Sequence, residues 1–599
     1  MKKPVIIGNS KEKYMYLEKI KGPADLKTLD AEDRKVLIAE MRKALLERAS
    51  VHGGHVGPDL GFVEAAVALH TVFDSPKDKI VFDVSHQSYP HKMLTGRQQA
   101  YTDPAHYDDV SGYTNPDESE HDFFNIGHTS TSIPLASGLA KARDLRGGKE
   151  NIIAVIGDGS LSGGMAFEGL DTVGEMGTNF IVVFNDNDMA IAETHGGMYK
   201  GFQKLRETKG EAKDNLFRAF GFDYRFVADG NDVEALIRTF REVKDIDHPV
   251  VVHIVTQKGK GYEPAEKNKE DWHWHMPFDL KTGKVKAPYV DVFGEATANY
   301  LLKQMKKDPK LVAMTAAVPS SMGFTPDRRR EAGSQYIDVG IAEEQGVSMA
   351  SGLAKAGMHP VFASYATFFQ RTYDQMSQDV CVNGNAATFL VFGASMYSMN
   401  DVTHLCFYDI PMLSNIPNLV YLAPATMEEY MAMLDWSIAQ EKYPVAIRVP
   451  VPVYENGSLY AVKAEGAYDK LNRFSVTHEG SKVALIGAGN FYGLAEETAK
   501  ELKAGGIDAT VINPRYLTGL DTELLEKLKK DHQVLATMED GCLVGGFGEK
   551  VAAFYGESDM KVLNFGLPKA FYDRYDYGTL AEENHLTPKL AAKDILALL

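Results

Sequence analysis

With 599 residues, 44% of them hydrophobic and 24% charged, the chain is too long for one hydrophobic core and predicts roughly two to four globular domains. A formal charge of −18 without a basic block excludes nucleic acid and an anionic membrane surface as general partners, though not small anionic substrates held by local groups. The scattered Cys381, Cys406 and Cys542 form no CxxC pair, which argues against a disulfide framework or zinc site and for a reducing, cytoplasmic compartment. The apolar run after Lys3 is too short for a signal peptide, and no apolar stretch is long enough to span a bilayer.

In chain order, apolar runs with strand character alternate with helical patterns, which predicts an α/β protein with largely parallel sheets. IIAVIG (152–157) and FIVVFN (180–185) read as buried strands around a helix-like stretch from Met165 to Gly174. KLVAMTA (310–316), HPVFAS (359–364), TFLVFG (388–393) and LVYLA (419–423) repeat the theme, and KVALIG (482–487), DATVIN (508–513) and QVLATME (533–539) do so again. The polar, Pro/Gly-punctuated segments 262–288 and 449–458 read as linkers. Three α/β domains follow, over 1–287, 288–455 and 456–599.

The most informative stretch runs from Gly157 to Asp188. It places Gly157-Asp158-Gly159 at the end of one strand and Asn185-Asp186-Asn187 at the end of the next. In an open parallel sheet ligands bind at the carboxyl ends of strands, so both clusters face one site. Glycines let backbone N–H groups approach an anion, and a following helix aims its N-terminus there. Asp158 and the Asn187 side-chain oxygen are hard ligands suited to Mg²⁺, which bridges to phosphates. Either cluster alone reads as a turn; the pair, each after an apolar strand, forms a thiamine-diphosphate signature.

On these residues the chain resembles the transketolase-like thiamine-diphosphate enzymes, and among them the 1-deoxy-D-xylulose-5-phosphate synthases. Similar segments include GGHVGPDLGFVEAAVALH (53–70), DVSHQSYPHKMLTGR (83–97), GHTSTSI (127–133), KGKGYEPAEK (258–267), DVGIAEEQGVSMASGLA (338–354), YATFFQRTYDQ (365–375), THLCFYD (403–409) and MEDGCLVGGFG (538–548). The resemblance implies a thiamine-diphosphate-binding fold of three domains: diphosphate-binding, pyrimidine-binding and C-terminal. It also implies a homodimer with the cofactor clamped between the first two domains. Asp158, Asn187 and the Met189 carbonyl become Mg²⁺ ligands, with Gly159 and Ser160 beside the diphosphate. His86, Gly127, His128, Thr129 and Tyr262 become cofactor contacts, and Phe368 stacks on the pyrimidine.

Thiamine is activated by a carboxylate buried against its aminopyrimidine. Ala342-Glu343-Glu344-Gln345 matches the family's AEQ-type segment, so Glu343 is the expected activator, and Glu344, where a glutamine is usual, is expected to face away. A bare sequence would read Glu343 as a helix N-terminal acid. Histidines suit proton exchange near neutral pH. His55, His86, His128 and His404 sit in matching motifs, while in WHWHMPFD both His273 and His275 compete for one pocket role. Tyr365 and Arg371 are implied at the donor site. The implied reaction decarboxylates pyruvate and joins the remaining two-carbon unit to an aldehyde, giving a 1-deoxyketose in isoprenoid precursor synthesis.

The acceptor half departs from the family. Gly393 and Val451 stand where the synthases carry arginines that grip the aldehyde's phosphate. Asn400 replaces a pocket aspartate beside Asp401, and Pro58-Asp59 replace small polar residues after His55. Losing two such arginines should cost several kcal/mol, with Arg448 as the candidate stand-in. The expectation is therefore glyceraldehyde 3-phosphate bound weakly, or a different aldehyde. The charged stretch from Asn187 to Asp214 is shorter than the family's mobile one and is expected to be better ordered. Two rivals remain. Transketolase-type ketol transfer is separated by CO₂ release from pyruvate. A nicotinamide oxidoreductase built on the glycine-rich turn at 487–493 lacks the acidic residue that would bind a ribose.

Overall fold

The computed structural model describes residues 14–288, 290–451, 453 and 462–599. The boundary expected at 455/456, and most of the linker expected at 449–458, lie outside the described residues. The chain divides into two compact units, Met1–Tyr289 and Val290–Leu599. Among the described residues, no helix is long and apolar enough to cross a membrane.

The first unit is built on five strands: β1 (Lys79–Phe82), β2 (Ile152–Gly157), β3 (Phe180–Asp186), β4 (Asp223–Val227) and β5 (Pro249–Val255). They pair in the order β1-β2-β3-β5-β4, all parallel. Ile153 and Val155 of β2 join one buried cluster and Ile152, Ala154 and Ile156 the other, so both faces are covered. That is why these strands read as continuous β-branched runs instead of alternating ones. Because all are parallel, the carboxyl ends of β1, β2, β3 and β5 share one edge.

The segment 262–288 is folded, contrary to its reading as a linker. Trp272 and Phe278 are buried in the first unit's core, Trp274–His275 pairs antiparallel with Gly54–His55, and Lys286 Nζ donates to the Ser50 carbonyl (2.8 Å). Its polar composition hid two aromatic anchors.

The second unit holds two sheets. The first has β6 (Leu311–Thr315), β7 (Tyr336–Asp338), β8 (His359–Tyr365), β9 (Thr388–Phe392), β10 (Val420–Leu422) and β11 (Val445–Arg448), in the order β10-β11-β9-β8-β6-β7 and all parallel. The other has β12 (Ser475–His478), β13 (Lys482–Gly487), β14 (Thr510–Asn513), β15 (His532–Cys542) and β16 (Lys561–Leu567), in the order β12-β14-β13-β15-β16, with only β12 antiparallel. The helix Glu343–Lys355 lies close on β8 because Gly346 has no side chain; a Cβ there would sit 2.3 Å from the Phe362 ring. All three cysteines are buried and unpaired.

Candidate active site

In the first unit the site is laid out on the shared strand edge. After β2, Asp158 is buried, and its Oδ2 accepts the Met189 N–H (3.1 Å). Burial, and then the neighbouring Asp186 charge, raise the Asp158 carboxyl above the ordinary carboxylate range. Asp186, at the end of β3, goes the other way: burial opposes ionisation, but His253 (2.9 Å) and the Arg206 guanidinium (2.7 and 2.8 Å) hold it ionised. At the next residue, Asn187, Oδ1 is buried with no hydrogen-bond partner among the described residues. An unsatisfied amide oxygen beside an under-compensated carboxylate is a donor pair that fits a hard divalent cation. Among the described residues no three His, Cys, Asp or Glu side chains gather into a metal cage.

The short segment after Asn187 contains the helix Met198–Glu207, which braces this rim. Tyr199 Oη donates to the Asp158 carbonyl (3.0 Å), and Arg206 also reaches Asp188 (3.0 Å). Gly127, His128 and Thr129 lead into Ser130, whose N–H bonds Asp83 (2.7 Å) and whose Oγ bonds the Ser160 carbonyl (2.7 Å), so the GHT loop sits beside Gly159-Ser160. Val84, Ser85, Ser130 and Asp188 in these loops all have left-handed backbone (φ 56, 64, 71 and 60°).

Three histidine rings meet here. His55 lies 5.0 Å from His86 and 5.5 Å from His273 between centroids, and His86 lies 5.1 Å from His273. Burial, then the Lys258 charge, pulls His86 down to about 3 and His273 well below the usual imidazole value, so both are neutral at pH 7. Nδ1 of each is buried without a partner among the described residues. The loop carrying His86 is pinned by the Tyr89 N–H on Asp59 (2.9 Å) and by His91 on Asp122 (2.8 Å).

His275 does not join them. Its ring stacks on Trp272 at 3.9 Å and its Nδ1 meets the Met276 carbonyl (2.8 Å), so it serves as packing. Tyr262 is likewise engaged, with its ring against Trp272 (5.0 Å) and its hydroxyl on the Leu280 carbonyl (3.1 Å). One residue escaped the sequence reading: Lys258, just after β5. Its buried ammonium donates to the Ala190 carbonyl (2.7 Å), and burial lowers it to about 7 against the pull of Asp158. The signal was a lysine three residues beyond a strand that is apolar but for His253.

In the second unit, Asp338 Oδ1 accepts the N–H groups of Ala317 and Gly340 (both 2.9 Å) and shapes the turn that starts the helix at Glu343. Glu343 is 3% exposed while Glu344 is half-buried, so the adjacent carboxylates do not share one environment. Burial raises Glu343 to about 7, opposed by Arg371. Its Oε2 has no hydrogen-bond partner among the described residues. The Phe368 ring packs edge-on against Tyr365 (6.1 Å) and His404 (5.8 Å), so YATFFQR and THLCFYD converge.

Arg448 corrects an expectation. It is 2% exposed and locked between Asp409 (Nε to Oδ2, 2.8 Å) and Asp540, so it is not available as a surface phosphate ligand. Asn490, from the glycine-rich turn after β13, donates to Asp540 (2.7 Å) and accepts the Val451 N–H (2.9 Å). That turn joins the unit's two sheets, and its side chains are spent on the protein itself. Asn400 is also occupied: its Nδ2 donates to the Tyr575 carbonyl (2.9 Å).

Residues 17–213 and 206–256 match the family model described as 1-deoxy-D-xylulose-5-phosphate synthase. Residues 292–456 match the transketolase pyrimidine-binding domain, and 473–589 the transketolase C-terminal domain. A relative named 1-deoxy-D-xylulose-5-phosphate synthase from Chlorobaculum tepidum is 39% identical over 93% of this chain and 94% of its own. The chain belongs to the 1-deoxy-D-xylulose-5-phosphate synthase family. Two further synthases of that name show the same reach. The one from Symbiobacterium thermophilum is 38% identical over 98% of this chain and 95% of its own, and one from Desulfitobacterium hafniense is 40% identical over 94% of each. Family membership thus covers both units, including the loops at Gly393 and Val451.

Proposed function

We propose that the chain is a thiamine-diphosphate-dependent 1-deoxy-D-xylulose-5-phosphate synthase-like transferase, which decarboxylates pyruvate and joins the two-carbon remainder to an aldehyde. The reading rests above all on Glu343, a buried carboxyl at a helix start, raised to about 7 and with one oxygen unpartnered. A carboxyl in that state can share a proton with a heterocyclic nitrogen at neutral pH.

In this reading Asp158, Asn187 and the Met189 carbonyl hold Mg²⁺, with Gly159, Ser160 and the GHT loop beside the diphosphate. Glu343 and Phe368 take the pyrimidine. Thiamine diphosphate supplies, when bound, the electron sink that lets pyruvate lose CO₂. The chain's own part is positional. Glu343 Oε2 holds a proton against the ring nitrogen. Neutral His86 and His273, beside His55, offer ring nitrogens that hydrogen-bond a substrate or cofactor without adding charge. His404, on Phe368, and Tyr365 orient the substrates. Three domains (1–287, 288–455, 456–599), a homodimer and a cytoplasmic location belong to the same proposal.

The test is ¹⁴CO₂ release from [1-¹⁴C]pyruvate with an aldehyde, thiamine diphosphate and Mg²⁺. Release coupled to a 1-deoxyketose is expected. Ketol transfer from xylulose 5-phosphate without CO₂ would instead make the chain a transketolase-type enzyme.

A further inference from the structure

We infer that the aldehyde subsite of the second unit takes an unphosphorylated aldehyde, with a hydroxyl or alkyl tail, in preference to a phosphorylated one. This rests on the reading above and names its acceptor. The wall beside Tyr365, Phe368 and His404 is the loop from Gly393 to His404, and that loop contains no lysine or arginine. Gly393, at the end of β9, has φ +67°, and a Cβ built there would lie 2.9 Å from Ser398 Oγ and 3.2 Å from the Tyr365 ring. No long side chain can leave this position without displacing both.

The C-terminal segment clasps the same loop. Tyr575 Oη donates to the Met396 carbonyl (2.8 Å), Tyr577 Oη to the Ser398 carbonyl (2.5 Å), and the Val402 N–H to Asp573 (3.1 Å). The loop is thereby closed with phenols and thioethers, not cations. Two guanidinium groups in this region are held by carboxylates, Arg448 by Asp409 and Asp540 and Arg574 by Asp573 (3.1 Å), while Arg371 stands 3.8 Å from Glu343, outside the Gly393–His404 loop. Asp401, at the start of the short helix that ends in His404, adds a further acid. A phosphate dianion needs an excess of charged donors, often a bidentate arginine. The Gly393–His404 wall offers hydroxyls and thioethers and no cation, which suits a neutral tail. Overall, pyruvate, a proton and R–CHO give CH₃–CO–CH(OH)–R and CO₂; one carbon–carbon bond breaks and one forms.

The test measures kcat/KM for D-glyceraldehyde and for D-glyceraldehyde 3-phosphate at saturating pyruvate, with CO₂ release followed in parallel. The unphosphorylated aldehyde is expected to lead by about tenfold or more, and added inorganic phosphate should leave its KM unchanged. Equal or better use of the phosphate ester, or competitive inhibition by phosphate, overturns the inference while leaving the synthase reading standing. Absence of CO₂ release with every aldehyde defeats the synthase reading itself, and the inference with it.

Discussion

Arg371 Nη1 lies 3.8 Å from Glu343 Oε2, within ion-pair range but short of a hydrogen bond, so the carboxyl is buried with its charge only partly compensated. Its folded-state pKa of about 7 lies above the ordinary 4.5. The folded protein therefore binds more protons than the unfolded chain across that window, and stability falls as pH rises from about 4.5 through 7. Removing the charge with Glu343→Gln should stabilise the cofactor-free protein at pH 8, by on the order of 3 kcal/mol, and leave it unchanged at pH 4. Turnover should be nearly abolished at both. Thermal melts at the two pH values check this; equal shifts at both would mean that Glu343 carries no such charge.

Asp158→Asn and Asn187→Ala should each remove the stabilisation that Mg²⁺ plus thiamine diphosphate give, without lowering the melting temperature of the bare protein. At ligand concentrations about a hundredfold above Kd, the wild type should gain about 2.7 kcal/mol by mass action. A variant that still shows the full ligand-induced shift would remove its residue from the proposed metal set.

The two neighbouring histidines should separate cleanly. His273→Ala should lower kcat by about 10² or more with little change in melting temperature, because its ring faces His55 and His86. His275→Ala should destabilise by about 1–3 kcal/mol through loss of the Trp272 stack and leave kcat close to wild type. The reverse pattern would reassign the pocket role to His275.

Arg448→Met leaves Asp409 and Asp540 buried without their shared cation, which should cost about 3–5 kcal/mol. The folded fraction should keep the wild-type preference between phosphorylated and unphosphorylated aldehydes. A selective loss of the phosphorylated substrate would show that Arg448 does reach it.

Much of this was legible because parallel strands buried on both faces announce themselves as apolar runs, and the β2 and β3 readings hold within a residue of the observed strands. The three-residue edge strand Tyr336–Asp338 and the half-buried Ser475–His478 carry no such run and were not read. The choice between His273 and His275 was beyond periodicity. Period-two alternation would put both on one face, but the strand spans only Trp274–His275, and His273 lies before it. Arg448 read as a candidate stand-in for the phosphate arginines because its two acids, Asp409 and Asp540, are distant in sequence. Lys258 was passed over because its buried setting depends on the carbonyls of Ala190 and Ile191, far upstream.

The loops around Asp158 hold Val84, Ser85, Ser130 and Asp188 in a backbone region that side-chain-bearing residues avoid. Selection for heat resistance should therefore return to these four positions, since glycine relieves each of them. Every such gain would come from slackening the rim that aims the GHT loop and Asn187, so the most thermostable descendants of this chain should be its slowest catalysts.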